Sequence, residues 1–478
     1  MRHSNRSWIA AACFALCTAH AWADDPCQPQ RLVTPPGTEA VHYGTSVATN
    51  GRFWFVGDSQ AAVPGCSGGP LSCAGGAVHV YEMVDGRLEF FQTLVPDGIA
   101  SFDQFGTWID VDGDRAVVGS YNTAWSTTAG RGGGFVFEFN GSEWIETASL
   151  APPSDFEGTG AGTVVQVAGD TITLSPSDQL PRVVWVYENG PSGWAFTQTV
   201  ESPVPLPASA GFGRIAVLDD DWLIVMAYWD ATRVRDGGSV FAFRRGADGT
   251  YEFAQQLLPP EPFVDTREFG VYVVLDGETL AIGARRVERE FEWQGAVFIY
   301  EFDGDEWALR QELTHEDPSE GDQFGWRLAL HRDTLLARTD RGVRLPGDVI
   351  QDGEVRRFER GADGTWRETG SLVSNTPYVA GLYGNAIATD GIHALVGASQ
   401  ERELPPSRAW PGATYLFDLA CGACEPDLDA DGELSIFDFL TFLNAFDAGD
   451  PIADFDADGA FTLFDFLAFQ AAFDAGCF

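Results

Sequence analysis

Lysine is absent from all 478 residues, so each of the 29 basic groups is an arginine. Against 70 acidic residues they leave a formal net charge of −41. Such acidity argues against nucleic acid or an anionic membrane as partner. Long apolar runs are missing as well. Beyond the N-terminal segment no stretch reaches the ~20 apolar residues that a membrane-crossing helix needs. Catalytic signatures are equally scarce. No His-Glu-x-x-His pattern occurs. Past the N-terminal segment the histidines are His42, His79, His315, His331 and His393, and they do not recur at one repeated position.

Residues 1–23 have the layout of a cleavable secretory signal: Arg2 and Arg6, an apolar stretch from Trp8 to Leu16, then Ala21-Trp22-Ala23. An N-terminal anchor helix is the competing reading. Cleavage before Asp24 leaves 455 residues and, with two arginines lost, a formal charge of −43. The expected location is secreted, extracellular or associated with the cell surface.

What is present is repetition. An aromatic-glycine pair recurs at Tyr43-Gly44, Phe105-Gly106, Phe212-Gly213, Phe269-Gly270, Phe324-Gly325 and Tyr383-Gly384, with a degenerate copy at Ala161-Gly162. The intervals run from 51 to 62 residues, the length of one propeller blade with generous loops. Each pair opens a strand, a turn such as Asp112-Gly113-Asp114, and a second strand. A third strand follows a glycine, as at Gly76-Ala77-Val78, and a fourth opens on an aromatic such as Trp144, Trp194, Trp307 or Trp366. Period-two alternation bounded by turn residues is the strand signal. Four strands in seven copies predict an all-β seven-bladed propeller over 24–421.

These units resemble FG-GAP repeats, the blade type of integrin-like propellers, from about Tyr43 to Leu419. Many integrin-type blades carry an Asp-x-Asp-x-Asp-Gly calcium loop. The nearest stretch here, Asp110-Val111-Asp112-Gly113-Asp114, falls where other units have a hairpin turn, and it is read as a turn. Gly158-Thr159-Gly160-Ala161-Gly162 precedes no helical pattern and is read as a bend before a strand rather than a nucleotide loop.

The seventh unit stops after its third strand, Ala413 to Leu419. The missing strand is at the other end of the chain, where Gln30-Arg31-Leu32-Val33-Thr34-Pro35-Pro36 reads like Phe91-Gln92-Thr93-Leu94-Val95-Pro96-Asp97. The N-terminal strand is therefore expected to complete the last blade. Six cysteines remain after Cys13 and Cys17 leave with the signal, an even number for an oxidising compartment. The topology points to Cys27–Cys421 in place of the missing hairpin, Cys66–Cys73 within one loop, and Cys424–Cys477 across the C-terminal segment. A metal site on Cys421-x-x-Cys424 is the alternative.

The last segment, 422–478, carries an aspartate pattern twice, 27 residues apart: Asp427, Asp429, Asp431 and Asp438, then Asp454, Asp456, Asp458 and Asp465. Carboxylates at loop positions 1, 3, 5 and 12, with glycine at 6, suit Ca²⁺. Glu433 and Ala460 would supply backbone carbonyls, and Ser435 and Thr462 would act through a water. Two bound Ca²⁺ ions are expected, each loop leading into a helix. The competing reading is a pair of acidic Asp-Gly turns.

This segment resembles a dockerin, and its Cys-bearing flanks are similar to the GC-type variant. The resemblance implies a small all-α module of paired EF-hand-like loops that holds a secreted protein to a cohesin-like or other cell-surface partner. The dockerin recognition positions are Ile436, Phe437, Leu463 and Phe464, apolar where polar residues are usual. The expected function is non-enzymatic adhesion or scaffolding, with the propeller offering a surface for a glycan or protein. A carbohydrate-active hydrolase or lyase on the same fold is the alternative.

Overall fold

A computed structural model describes residues 28–36, 42–62, 73–123, 131–156, 160–176, 182–207, 209–232, 236–260, 266–345, 349–374, 381–401, 411–420, 428, 436–448, 451–453, 455 and 460–475. The alternating segments form seven four-stranded antiparallel sheets, a seven-bladed β-propeller. Blades 1 to 6 span 43–94, 105–150, 164–201, 216–257, 266–313 and 328–372, each with its strands in sequence order. The first strands of all seven blades pack on one another in a closed circuit and so surround the axis.

Blade 7 is made from both ends of the chain. Its order is Gln30–Leu32, Ala413–Asp418, His393–Ala398 and Tyr383–Thr389, so the N-terminal strand forms the outer edge. Leu32 faces Thr414 there, as Leu94 faces Val78 in blade 1. The sequence alignment is thus corrected by one residue, because Leu32 rather than Val33 takes the place of Leu94. A one-residue slip exchanges the two faces of a strand. Accordingly Leu32 is 8 % exposed and Val33 47 %.

The cause of this register is a repeated device. Gln30 donates from Nε2 to Leu88 O at 2.9 Å and accepts from Leu88 N at 2.8 Å. Gln92 grips the backbone of Trp144 in the same two-bonded way. Gln198 grips Tyr251, Gln255 grips Trp307 and Gln311 grips Trp366. In each case an outer-strand amide of one blade clamps the first turn of the outer strand in the next, at five of the seven junctions. In blade 1 the register shift falls between Val80 and Tyr81, beside Gln92, and blades 2 to 6 shift at the matching place. A bulge there twists the outer strand and makes its free edge a poor template for another chain.

The aromatic-glycine pairs and the third-strand glycines also meet across junctions. Gly76 bridges Phe105, Gly132 bridges Ala161, Gly238 bridges Phe269, Gly295 bridges Phe324 and Gly412 bridges Tyr43. Gly76 has φ +100°, and a Cβ there would lie 2.0 Å from Phe105 O. No other residue fits so close an approach. The Tyr43–Gly412 bridge joins the last blade to the first by the same contact.

Residues beyond 420 form helix α1 (Ile436–Ala448), a 3₁₀ turn (Pro451–Ala453) and helix α2 (Leu463–Ala475). Phe442 and Phe469 stack at 4.3 Å between ring centroids and, with Ala453, are the fully buried centre of the pair. Thr462 caps α2: its hydroxyl accepts from Phe464 N at 3.1 Å, and Asp465 accepts from Thr462 N at 2.6 Å.

Candidate functional site

Of the residues assigned to the calcium loops, Asp427, Asp429, Asp431, Glu433, Ser435, Asp454, Asp456 and Asp458 lie outside the described residues. Asp438 and Asp465, the position-12 carboxylates, sit in the first turns of α1 and α2 and are both fully buried. Ala460 is exposed and Thr462 half-buried. Among the described residues no group of three or more His, Cys, Asp or Glu is placed to hold a metal ion. Ile436, Leu463 and Phe464 stand well out of the helices, 64 to 68 % exposed. The side chain of Phe437 lies outside the described residues. So do Cys27, Cys66, Cys421, Cys424 and Cys477, whereas Cys73 is buried.

The Asp110–Asp114 segment is a two-residue hairpin turn in which Asp112 faces Arg115. Its carboxylates serve the neighbouring blade. Asp110 accepts from Val167 N at 2.8 Å and Asp112 from Gly169 N at 2.7 Å. Gly160-Ala161-Gly162 leads into the strand Val164–Ala168, as the bend reading expects. The histidines do not converge. His79 is buried against Thr93 in blade 1, and burial lowers its pKa to about 4. His393 pairs with Asp390 in blade 7, and His315 with Asp317 and Asp322 between blades 5 and 6. The acidic loop 316–322 is likewise occupied internally, since Asp317 pairs with Arg341 and Arg356.

The distinctive chemistry lies at the axis. Trp108 of blade 2 and Tyr272 of blade 5 stack with ring centroids 6.2 Å apart. Blades 2 and 5 are not neighbours, so this contact crosses the ring. Arg327 of blade 6 lies 5.0 Å from the centroid of Tyr272 and donates through Nε to Asn385 O of blade 7 at 3.0 Å. Trp108, Tyr272 and Arg327 each stand three residues after the aromatic of their blade's pair, at 105, 269 and 324. The other four blades have Ser46, Val164, Ile215 and Ala386 there. One register position therefore brings three large side chains to the axis.

Further arginines gather around them. Arg285 lies 4.1 Å and Arg338 5.8 Å from the centroid of Trp326. Arg214 of blade 4 lies against the ring of Tyr228 and donates to its hydroxyl. Arg285 is paired with the buried Glu268, and Arg338 with Asp340 at 2.6 Å. Arg327 has no carboxylate partner among the described residues. Burial, with Arg338, Arg214 and Arg285 nearby and only Tyr272 opposing, lowers its pKa to about 10. Asp110, which also faces this region, is pushed by burial up to about 6 despite the backbone hydrogen bonds it accepts. The sequence reading missed this cluster. Its signal was a column of the repeat alignment that reads Ser46, Trp108, Val164, Ile215, Tyr272, Arg327 and Ala386.

A concavity of about 620 Å³ lies at the rim between blades 2 and 3, lined by Pro152, Pro153, Tyr187, Trp194 and Phe196. It opens at a junction without a glutamine clamp, where Ala148 takes the place of Gln92.

No protein-family model matches this chain, and no curated protein does. Solved structures match it with TM-scores between 0.41 and 0.43. One is a protein of Bacteroides uniformis provisionally named 6-phosphogluconolactonase, 13 % identical over 70 % of this chain and 86 % of that one, TM-score 0.43. Another is the periplasmic gluconolactonase PpgL of Pseudomonas aeruginosa, 14 % identical with the same coverage and TM-score. A protein of Bacteroides fragilis with the same provisional name is 13 % identical over 70 % of this chain and 85 % of that one, TM-score 0.41.

Proposed function

We propose that this is a secreted adhesion or scaffold protein whose propeller is a binding surface and whose C-terminal segment is a calcium-dependent, dockerin-like anchor. The propeller units are read as FG-GAP-like blades. The observation that carries the anchor is the pairing of two buried aspartates, Asp438 and Asp465, with an apolar surface left exposed beside them. Both stand at position 12 of their loops, where an EF-hand-like loop carries its last calcium-binding carboxylate. Each loop offers three further aspartates and a backbone carbonyl (Glu433, Ala460) to a Ca²⁺ ion. Ile436, Phe437, Leu463 and Phe464 then form the face for a cohesin-like or cell-surface partner. Contiguous exposed apolar surface of this kind marks an interaction site.

The three disulfides complete the reading. Cys73 is buried, as a cysteine paired with Cys66 would be. Gln30 faces Leu416 in an antiparallel pair, so the first strand begins beside the end of the last one, an arrangement compatible with Cys27–Cys421. At the axis the carboxylates Glu268 and Asp340 are already paired with Arg285 and Arg338, and of the others near the arginines and rings the pKa shifts single out Asp110. That inventory favours binding over glycoside hydrolysis, which uses two carboxylates.

Calorimetry on the full chain tests the anchor. Two Ca²⁺ ions are expected to bind, and Asp427→Ala with Asp454→Ala is expected to abolish both events. Absence of Ca²⁺ binding by the parent protein would remove the calcium module. Serine at 436, 437, 463 and 464 should abolish attachment to the cell surface and spare calcium affinity. Attachment that survives this change would assign those four side chains to internal packing.

A further inference from the structure

The axis of the propeller gathers four arginines, of which Arg327 has no carboxylate partner among the described residues. Arg214, Arg285, Arg327 and Arg338 come from blades 4, 5 and 6 and act on one another's ionisation there. Their host carries 70 acidic residues, so carboxylates to pair with them were abundant. Arg285 and Arg338 have such partners. Arg327 spends Nε on Asn385 O and Nη1 on Trp326 O, at 3.0 and 3.2 Å, both uncharged carbonyls. Its Nη2 has no hydrogen-bond partner among the described residues, and it is not among the polar atoms sealed from solvent.

Like charges held together in a partly desolvated place raise the free energy of the unliganded protein. An anion arriving at Arg327 relieves that repulsion and fills the guanidinium fork, whose parallel N–H groups match a carboxylate or an ester sulfate. The same place presents rings. Trp108 packs on Tyr272, and Arg327 and Arg285 lie over the rings of Tyr272 and Trp326, yet all three rings are only partly buried, so the ring surface left exposed can meet the C–H groups of a sugar. A site with one directed charge contact and apolar, aromatic walls is built for a small organic ligand rather than a free inorganic ion. The formal charge of −43 on the mature chain disfavours long polyanions, which feel the whole field, far more than a ligand with one charge.

We propose that this axial cluster of Arg327, Arg214, Tyr272, Trp108 and Trp326 binds a saccharide residue bearing a single carboxylate or sulfate group. The site lies wholly in the propeller, so its test is separate from that of the calcium module.

The experiment uses the full-length mature chain, with calorimetry and tryptophan fluorescence, and four probes: glucuronate, glucose 6-sulfate, glucose and inorganic sulfate. Binding of glucuronate or glucose 6-sulfate, with glucose silent and inorganic sulfate at least roughly tenfold weaker, supports the proposal. Which of the two binds more tightly identifies carboxylate or sulfate as the recognised group. Arg327→Gln should lower that affinity by roughly tenfold or more. Arg327→Lys keeps the charge but loses the fork, and should lose most of the affinity too. It serves if Arg327→Gln does not fold. Quenching or enhancement of tryptophan emission by the bound sugar needs no variant at all. Inorganic sulfate binding as tightly as either sugar would reduce the site to a simple anion site and overturn the saccharide assignment. Silence of all four probes at millimolar concentration, or unchanged affinity in both variants, overturns the proposal.

Discussion

The propeller and the C-terminal helix pair hide apolar surface by different means. In each blade the buried residues face a neighbouring blade that repeats the same pattern. Phe105, Phe269, Phe324, Tyr43 and Tyr383 are all fully buried at such junctions. Among the described residues the helix pair has no second layer. Phe442, Ala453 and Phe469 are fully buried, while Leu440, Leu443, Leu463, Phe464 and Leu467 stay exposed. Repetition lets a sheet supply its own cover, whereas two 13-residue helices need another ingredient. The acidic loops are where the helix pair can obtain it, through the ions proposed above.

The comparison is broken most severely at the propeller's closure. Deleting residues 24–37 removes Gln30–Leu32 and with it the clamp on Leu88, and bares the edge of Ala413–Asp418. An uncovered edge invites pairing with other chains. Soluble yield should collapse, and what remains should sediment as aggregate. A soluble, monomeric deletion variant with an unchanged thermal midpoint would show that the ring does not depend on this strand.

A smaller effect is expected at a single junction. Gln255→Ala leaves Trp307 N and O without their partners, a loss of about 1–3 kcal/mol for groups so placed. Denaturant titration followed by tryptophan emission measures it. The reverse change, Ala148→Gln, should add a clamp where blades 2 and 3 lack one and raise the propeller's midpoint by less. If neither substitution moves the midpoint, the repeated amide is a consequence of the packing and not a contributor to it.

The smallest effect concerns Asp110. Burial raises its folded pKa to about 6 from an ordinary 3.8. The folded state therefore favours the neutral carboxyl, and this stabilisation is present below pH 4 and lost as pH rises through 6. Asparagine is neutral throughout and can still accept from Val167 N. The thermal midpoint of Asp110→Asn should accordingly fall less than that of the parent between pH 4 and 7. Parallel pH profiles for the two proteins would show that Asp110 is already ionised in the folded state.

The blades were legible because their signals are local and recur. Aromatic-glycine pairs, two-residue turns and period-two alternation each occupy a few residues, and seven copies reinforce one another. The strand exchange was legible for the same reason, as a unit lacking its fourth strand and a surplus strand elsewhere. Its register was not. Leu32 and Val33 are both apolar, and what chose between them was the reach of Gln30 to the backbone of Leu88, 58 residues away.

The sequence by itself determined the number of blades, the exchange of the terminal strand and the helical character of 436–448 and 463–475, all of which follow from short patterns and their repetition along the chain. Only the tertiary structure decided what stands at the axis. Trp108, Arg214, Tyr272 and Arg327 are scattered over 220 residues and belong to four blades. No pattern within a single unit relates them, because each inner strand meets its distant counterparts only when the ring closes. Closure turns one column of unlike residues into a single cluster of charge and rings.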